Sequence, residues 1–168
     1  MKHAANRETE PTVRYDVSLL MEQDYYLFNE GTHLDLAAKL GSHPATADGV
    51  DGTIFAVWAP NAEAVSVVGD FNGWRRSAHP LQPRGSSGIW EGFVPGVGRG
   101  ARYKYHVVSR HAGYRADKAD PFAFHDEVPP HTASIVWPLD YEWGDGEWMA
   151  SRHGRNALEL KLLPGIVQ

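Results

Sequence analysis

The sequence predicts a mainly β protein: a β-sandwich preceded by a short helical segment. Two observations carry this reading. From Thr53 onward, short apolar or alternating runs follow one another at close spacing. Glycine- and proline-containing clusters separate them, as sandwich turns do. The Cys…Trp…Cys signature of an antibody domain is absent, so only the architecture is shared.

In chain order, Met1 to about Thr12 is polar and without periodicity, and reads as a loosely docked end. Val17, Leu20 and Met21 predict a short amphipathic helix over 16–24. An aromatic segment, Asp24-Tyr25-Tyr26-Leu27-Phe28-Asn29-Glu30, follows and stops at a Gly31 turn. Thr32, with Asp35 at capping-box distance, predicts a second helix over 34–40, closed by Gly41 in the left-handed C-terminal position. Ser42 to Gly52 reads as a polar loop.

The β region opens with Thr53–Trp58, apolar on both faces and stopped by Ala59-Pro60-Asn61. Ala64–Val68 alternates and runs into Gly69-Asp70-Phe71-Asn72-Gly73-Trp74. Asn72-Gly73 is a strong hairpin signal, because both residues tolerate positive φ. Ile89–Val94 alternates after the turn at 85–88, and 101–108 alternates after the turn at 95–100, with Tyr103, Tyr105 and Val107 on one face. Tyr114-Arg115 begins a short strand, and Ser134–Trp137 is the last before Pro138. The segment from Asp140 combines a short helix with a basic turn and the apolar stretch Leu158–Leu163. The predicted divisions are 1–48, 49–139 and 140–168.

Composition narrows the function classes. The chain has 168 residues, 42% hydrophobic and 22% charged, which suits one globular domain plus a smaller packed segment. With no cysteine, disulfides and thiolate metal sites are excluded, and a reducing, cytoplasmic setting is expected. The net charge of −5 and the lack of a basic stripe argue against nucleic acid and anionic membranes as partners. No signal peptide or membrane-spanning run stands out. The nine histidines show no metal-site spacing, so no metal and no cofactor is expected. The phosphate-binding loop and the nucleophile elbow are absent too, and Gly96–Gly100 lacks dinucleotide spacing. No carboxylate pair is set apart as an acid–base couple, so no catalytic residue is nominated.

A binding face is the stronger expectation. Trp74 sits just past a turn, Lys104 on the polar face of a strand, and Tyr114 after a glycine turn. Aromatic planes cover the apolar C–H patches of a sugar ring, while an ammonium or hydroxyl engages its rim. Each residue also has an ordinary reading: Trp74 as a core cap, Lys104 as a solvated strand residue, Tyr114 as a packed edge aromatic. Phe55, Trp58, Phe93, Tyr103 and Tyr105 are assigned mostly to the core, with Trp90 undecided.

Resemblance adds to this. Tyr26-Leu27-Phe28-Asn29-Glu30-Gly31-Thr32-His33, Phe55-Ala56-Val57-Trp58-Ala59-Pro60-Asn61-Ala62, Val68-Gly69-Asp70-Phe71-Asn72-Gly73-Trp74, Tyr103-Lys104-Tyr105 and Lys118-Ala119-Asp120-Pro121-Phe122-Ala123 resemble the N-terminal part of bacterial 1,4-α-glucan (glycogen) branching enzymes. The resemblance runs from about Asp24 to Ala157. It implies a family 48 carbohydrate-binding module with an immunoglobulin-like sandwich over 49–139, and α-1,4-glucan (glycogen or maltooligosaccharide) as partner. In glucan-binding relatives the tryptophan of the turn stacks on glucose and the strand lysine contacts hydroxyls. Those positions match Trp74 and Lys104, with Tyr114 expected as a second platform and Asn72, Trp90 and Thr132 as further candidates. Leu158–Gln168 does not resemble the start of the family's catalytic (β/α)8 barrel, which needs at least about 200 residues. The chain is therefore expected to lack the catalytic residues, whether as a truncated piece, a shifted reading frame or a free-standing module. The alternative reading is a sandwich that packs on a barrel without binding sugar strongly.

Overall fold

The computed structural model describes residues 12–140, 144 and 146–151. The chain divides into two units, Met1–Pro138 and Leu139–Gln168. The expectations for the first residues and for the Leu158–Gln168 tail lie outside the described residues. In the second unit a short helix covers 146–151.

The first unit begins extended. The backbone of Arg14 exchanges both hydrogen bonds with Phe93, at 2.8 Å each. Ser18 and Leu19 donate to the carboxylate of Glu91. These tethers hold residues 14–19 out of the predicted helix. Helix α1 (Glu22–Glu30) forms one step later, through the aromatic segment, and Asp24 accepts from the Met21 N–H at its start. Tyr25 and Phe28, three apart, turn toward a small cluster with Leu20, Leu40, Ala56 and Ile89. The second predicted helix shrinks to a 3-10 turn, Leu36–Ala38.

Among the described residues ten strands follow, in two antiparallel sheets. Sheet A runs β1 (Gly41–Ala47), β2 (Val50–Trp58), β6 (Ile89–Pro95), β5 (Gln82–Pro83). Sheet B runs β4 (His79–Pro80), β3 (Ala62–Gly69), β7 (Arg102–Ser109), β10 (Ser134–Ile135), β9 (His125–Asp126). Strand β8 (Arg115–Lys118) shares the β10 edge of β7, one pairing with residues 105–108 and the other with 102–103. The predicted loop 42–52 is a hairpin instead. Asp48 and Gly49 both have positive φ, 52° and 76°, as a two-residue turn between β1 and β2 requires.

The core lies between the sheets. Phe55 and Val57 of β2 and Val94 of β6 meet Val65 and Val67 of β3 and Tyr103 and Tyr105 of β7. Trp90 joins this core at 7% exposure. The even-numbered residues of β2 face outward, where α1 and the 3-10 turn cover Ala56. Trp58, expected in the core, lies past that cover and is 54% exposed.

Asp120 clasps the sandwich from its side. Its carboxylate accepts from the hydroxyls of Tyr103 (2.6 Å) and Tyr105 (3.1 Å) and from the Phe122 N–H (2.8 Å). Burial nevertheless outweighs these bonds and holds the carboxyl above its ordinary value of 3.8. A raised folded value means that the stability this group lends is complete below 3.8 and fades as pH rises through the folded value. Asp120→Asn keeps one acceptor and removes the charge. Its stability relative to the unaltered protein is therefore expected to improve steadily as pH rises from acid to neutral. Urea unfolding across that range checks this, and a gap independent of pH would refute it.

Candidate functional site

The loop after β3 determines what its aromatics can do. Residues Asp70–Asn72 form a 3-10 turn, and the left-handed residues are Gly73 (φ 61°) and Trp74 (φ 60°), one step later than a hairpin at Asn72-Gly73 requires. Asn72 causes the shift. Its side chain is buried, accepts from the Gly69 N–H at 3.0 Å, donates to the Val67 carbonyl at 3.0 Å and meets His79. Those bonds hold Asn72 in the structure, so it offers nothing to a ligand. Trp90 is likewise committed, buried with its indole N–H on the Ala59 carbonyl.

Trp74 is 42% exposed. Its backbone N–H donates to the Gly69 carbonyl at 2.8 Å, directly beyond the end of β3. Gly69 pairs with Tyr103, and Val68 with Lys104, so Trp74 stands within a residue or two of the rung that carries Lys104. Because Tyr103 and Tyr105 face inward, Lys104 projects from the outer face of sheet B. Its ammonium donates to the Thr132 hydroxyl at 2.7 Å. Arg102 lies two residues along the same face and bridges Asp70 (3.2 Å) and Glu127 (3.5 Å). Lys104 and Thr132 therefore sit together on the outer face, and the backbone of Trp74 lies near the same end of sheet B.

Tyr114 does not join them. Its carbonyl accepts from the Ser109 N–H, which puts it five strand residues from Lys104, about 17 Å at ~3.4 Å per residue. A strap also crosses between. Ser66, facing outward, donates to the Arg76 carbonyl, while the Arg76 guanidinium reaches Asp117 on β8 at 3.0 Å. Beneath it His106 contacts the same carboxylate at 2.6 Å. Burial pushes Asp117 up, but Arg76 and His106 together hold it below the usual carboxylate range. Tyr114 is 56% exposed at the far end, with the Lys118 ammonium 5.7 Å from its ring centre.

The open indole and the neighbouring donors suit an uncharged ligand with apolar faces and hydroxyl edges. Sequence reasoning could not see the Lys104–Thr132 bond, which joins residues 28 apart. It missed the strap for the same reason.

Comparison with known proteins points the same way. The model of a family described as carbohydrate-binding module 48 (isoamylase N-terminal domain) matches residues 39–123. A 1,4-alpha-glucan branching enzyme GlgB of Rhodospirillum rubrum is 50% identical over 153 residues, which are 90% of this chain and 20% of the relative. The corresponding enzyme of Albidiferax ferrireducens is 53% identical over 142 residues, 84% of this chain and 22% of that relative. The chain thus spans about a fifth of the length of the curated relatives it matches. Among solved structures, apo pullulanase from Klebsiella pneumoniae matches with a TM-score of 0.50 and 26% identity, over 62% of this chain and 11% of that one.

Proposed function

The chain belongs to the carbohydrate-binding module 48 family, and on that premise we propose that it is a non-catalytic module binding α-1,4-glucan through the outer face of sheet B. The observation that carries this reading is the exposed Trp74 indole on its left-handed turn, whose backbone is tied to Gly69, one rung from Lys104. The indole covers the apolar face of a glucose unit. The ammonium, already oriented by Thr132, turns a remaining N–H toward a sugar hydroxyl. No charge on the ligand is needed, which agrees with the ion pairs that neutralise Arg102 and Arg76. In this reading the module holds glucan for a branching enzyme whose catalytic barrel lies in the remainder of the relatives' length.

Native electrophoresis through glycogen tests the proposal, with a glycogen-free gel as the mobility reference. The unaltered chain is expected to be retarded. Lys104→Ala should weaken retention roughly tenfold, the equivalent of losing one charge-assisted hydrogen bond of about 1.5 kcal/mol. A folded, unaltered chain that runs equally fast in both gels would overturn the reading in favour of a packing domain.

A further inference from the structure

The next outward rung of sheet B after the one that carries Lys104 is made of Ser66, His106 and Asp117, paired in that order across β3, β7 and β8. Their neighbours Val65, Val67 and Tyr105 face the core, so this rung points to solvent. Arg76 lies across it and is held at both of its ends. Its carbonyl accepts from the Ser66 hydroxyl over β3. Its guanidinium meets one oxygen of Asp117 at 3.0 Å, while His106 Nδ1 meets the other at 2.6 Å.

As a stabilising device this junction is weak. The Arg76 side chain is 65% exposed and that of Asp117 32%, and ion pairs so open to water add little to stability. What the junction fixes is the path of the chain two residues after Trp74. A residue with a Cβ holds the left-handed backbone seen at Trp74 only where the chain around it imposes that conformation. Upstream, the Asn72 side chain does so, through Gly69 and Val67. The Arg75 Nε donates to the Asn72 carbonyl at 3.1 Å, a bond that ties the loop to itself. Downstream, before β4 begins at His79, Arg76 ties the loop to the sheet. With that tie cut, the backbone at Trp74 can relax and its indole loses its fixed place.

A direct role for Asp117 on the ligand fits less well, because each of its oxygens is already engaged. We propose that Asp117 is a positioning residue for the glucan site: through Arg76 it holds the loop that presents Trp74, and it touches no sugar itself. The ligand rests on the function proposed above; the hold on the loop does not.

The test joins glycogen retention to the mobility of the Trp74 indole in the sugar-free chain. The indole N–H signal is identified by its loss in Trp74→Ala. Its heteronuclear 15N NOE is expected to fall in Asp117→Ala and in Arg76→Met, while the urea midpoint stays close to that of the unaltered chain. Retention should weaken about fivefold in each, as the share of chains holding the indole in place drops to about a fifth. The two changes combined should be no worse than either alone, because both break the same bond. Added to Trp74→Ala, whose residual retention is read at raised glycogen concentration, Asp117→Ala should change nothing. An unchanged indole NOE in Asp117→Ala overturns the proposal, whatever the gels show. So does a further loss in the Trp74→Ala background, which would make Asp117 a sugar contact. A urea midpoint that falls in step with retention would make the strap structural and overturn it too. If the unaltered chain itself runs freely through glycogen, the sheet B site falls, and the NOE alone decides whether Asp117 holds the loop.

Discussion

Trp74→Ala is expected to weaken retention by glycogen about 30-fold, while the unfolding midpoint stays that of the unaltered chain. As a central tryptophan anchor the indole contributes about 2 kcal/mol to binding. Its surroundings do not depend on it for stability. Trp74 is 42% exposed, and the core cluster of Phe55, Val67, Tyr103 and their neighbours is assembled without it. The turn is held by the Asn72 side chain and by the Trp74 backbone N–H, and alanine keeps both. Affinity electrophoresis together with urea unfolding separates the two quantities. Loss of retention with a matching loss of stability would make Trp74 a structural residue. Full retention by the folded variant would remove the sugar platform from this face.

Glu91→Ala is expected to cost about 3–5 kcal/mol, the usual penalty for removing one partner of a buried ion pair. Glu91 has 0% exposure on the outer face of sheet A. It accepts from the Arg84 guanidinium (2.8 Å), the Ser18 hydroxyl (2.7 Å) and the Leu19 N–H (3.3 Å). Arg84 in turn donates to the Tyr15 carbonyl at 3.0 Å. Alanine leaves a guanidinium with 20% side-chain exposure uncompensated and strands two donors of the N-terminal segment. The loss should therefore be uneven. Amides of residues 14–30 are expected to exchange faster than those of β3 and β7, where no contact has changed. Denaturant unfolding and hydrogen exchange report the two effects. An unchanged midpoint, or uniform acceleration through both sheets, would contradict the stapling role.

Strands β3, β6 and β7 were legible because their alternation is dictated by burial between two layers, and β2 because a short run apolar on both faces suits a strand covered on both sides. Strand β1 was not, since Ser42-His43-Pro44-Ala45-Thr46 carries too few large apolar residues to alternate. Yet Asp48-Gly49, a hairpin pair as strong as Asn72-Gly73, stood in the sequence and formed the turn. Asn72-Gly73 misled because side-chain bonds to Gly69 and Val67 pulled the turn one residue forward. Trp58 and Trp90 show the limit of reading aromatics from spacing. Both occupy strand positions, but the inward face buries Trp90, while Trp58 lies beyond the layer that covers Ala56. Of the candidate face, Trp74 and Lys104 were identifiable one by one. Tyr114 lies five strand residues from Lys104, and the ion pair that crosses between them joins residues 41 apart, which no local pattern encodes.

The left-handed backbone at Trp74 has a thermodynamic consequence. Residues with a Cβ lose roughly 1–2 kcal/mol in that conformation relative to glycine. A domain of this kind has only about 5–15 kcal/mol of net stability to draw on. Position 74 thus opposes the fold's own equilibrium: the backbone there would be more comfortable with no side chain at all, and the chain instead carries its bulkiest one.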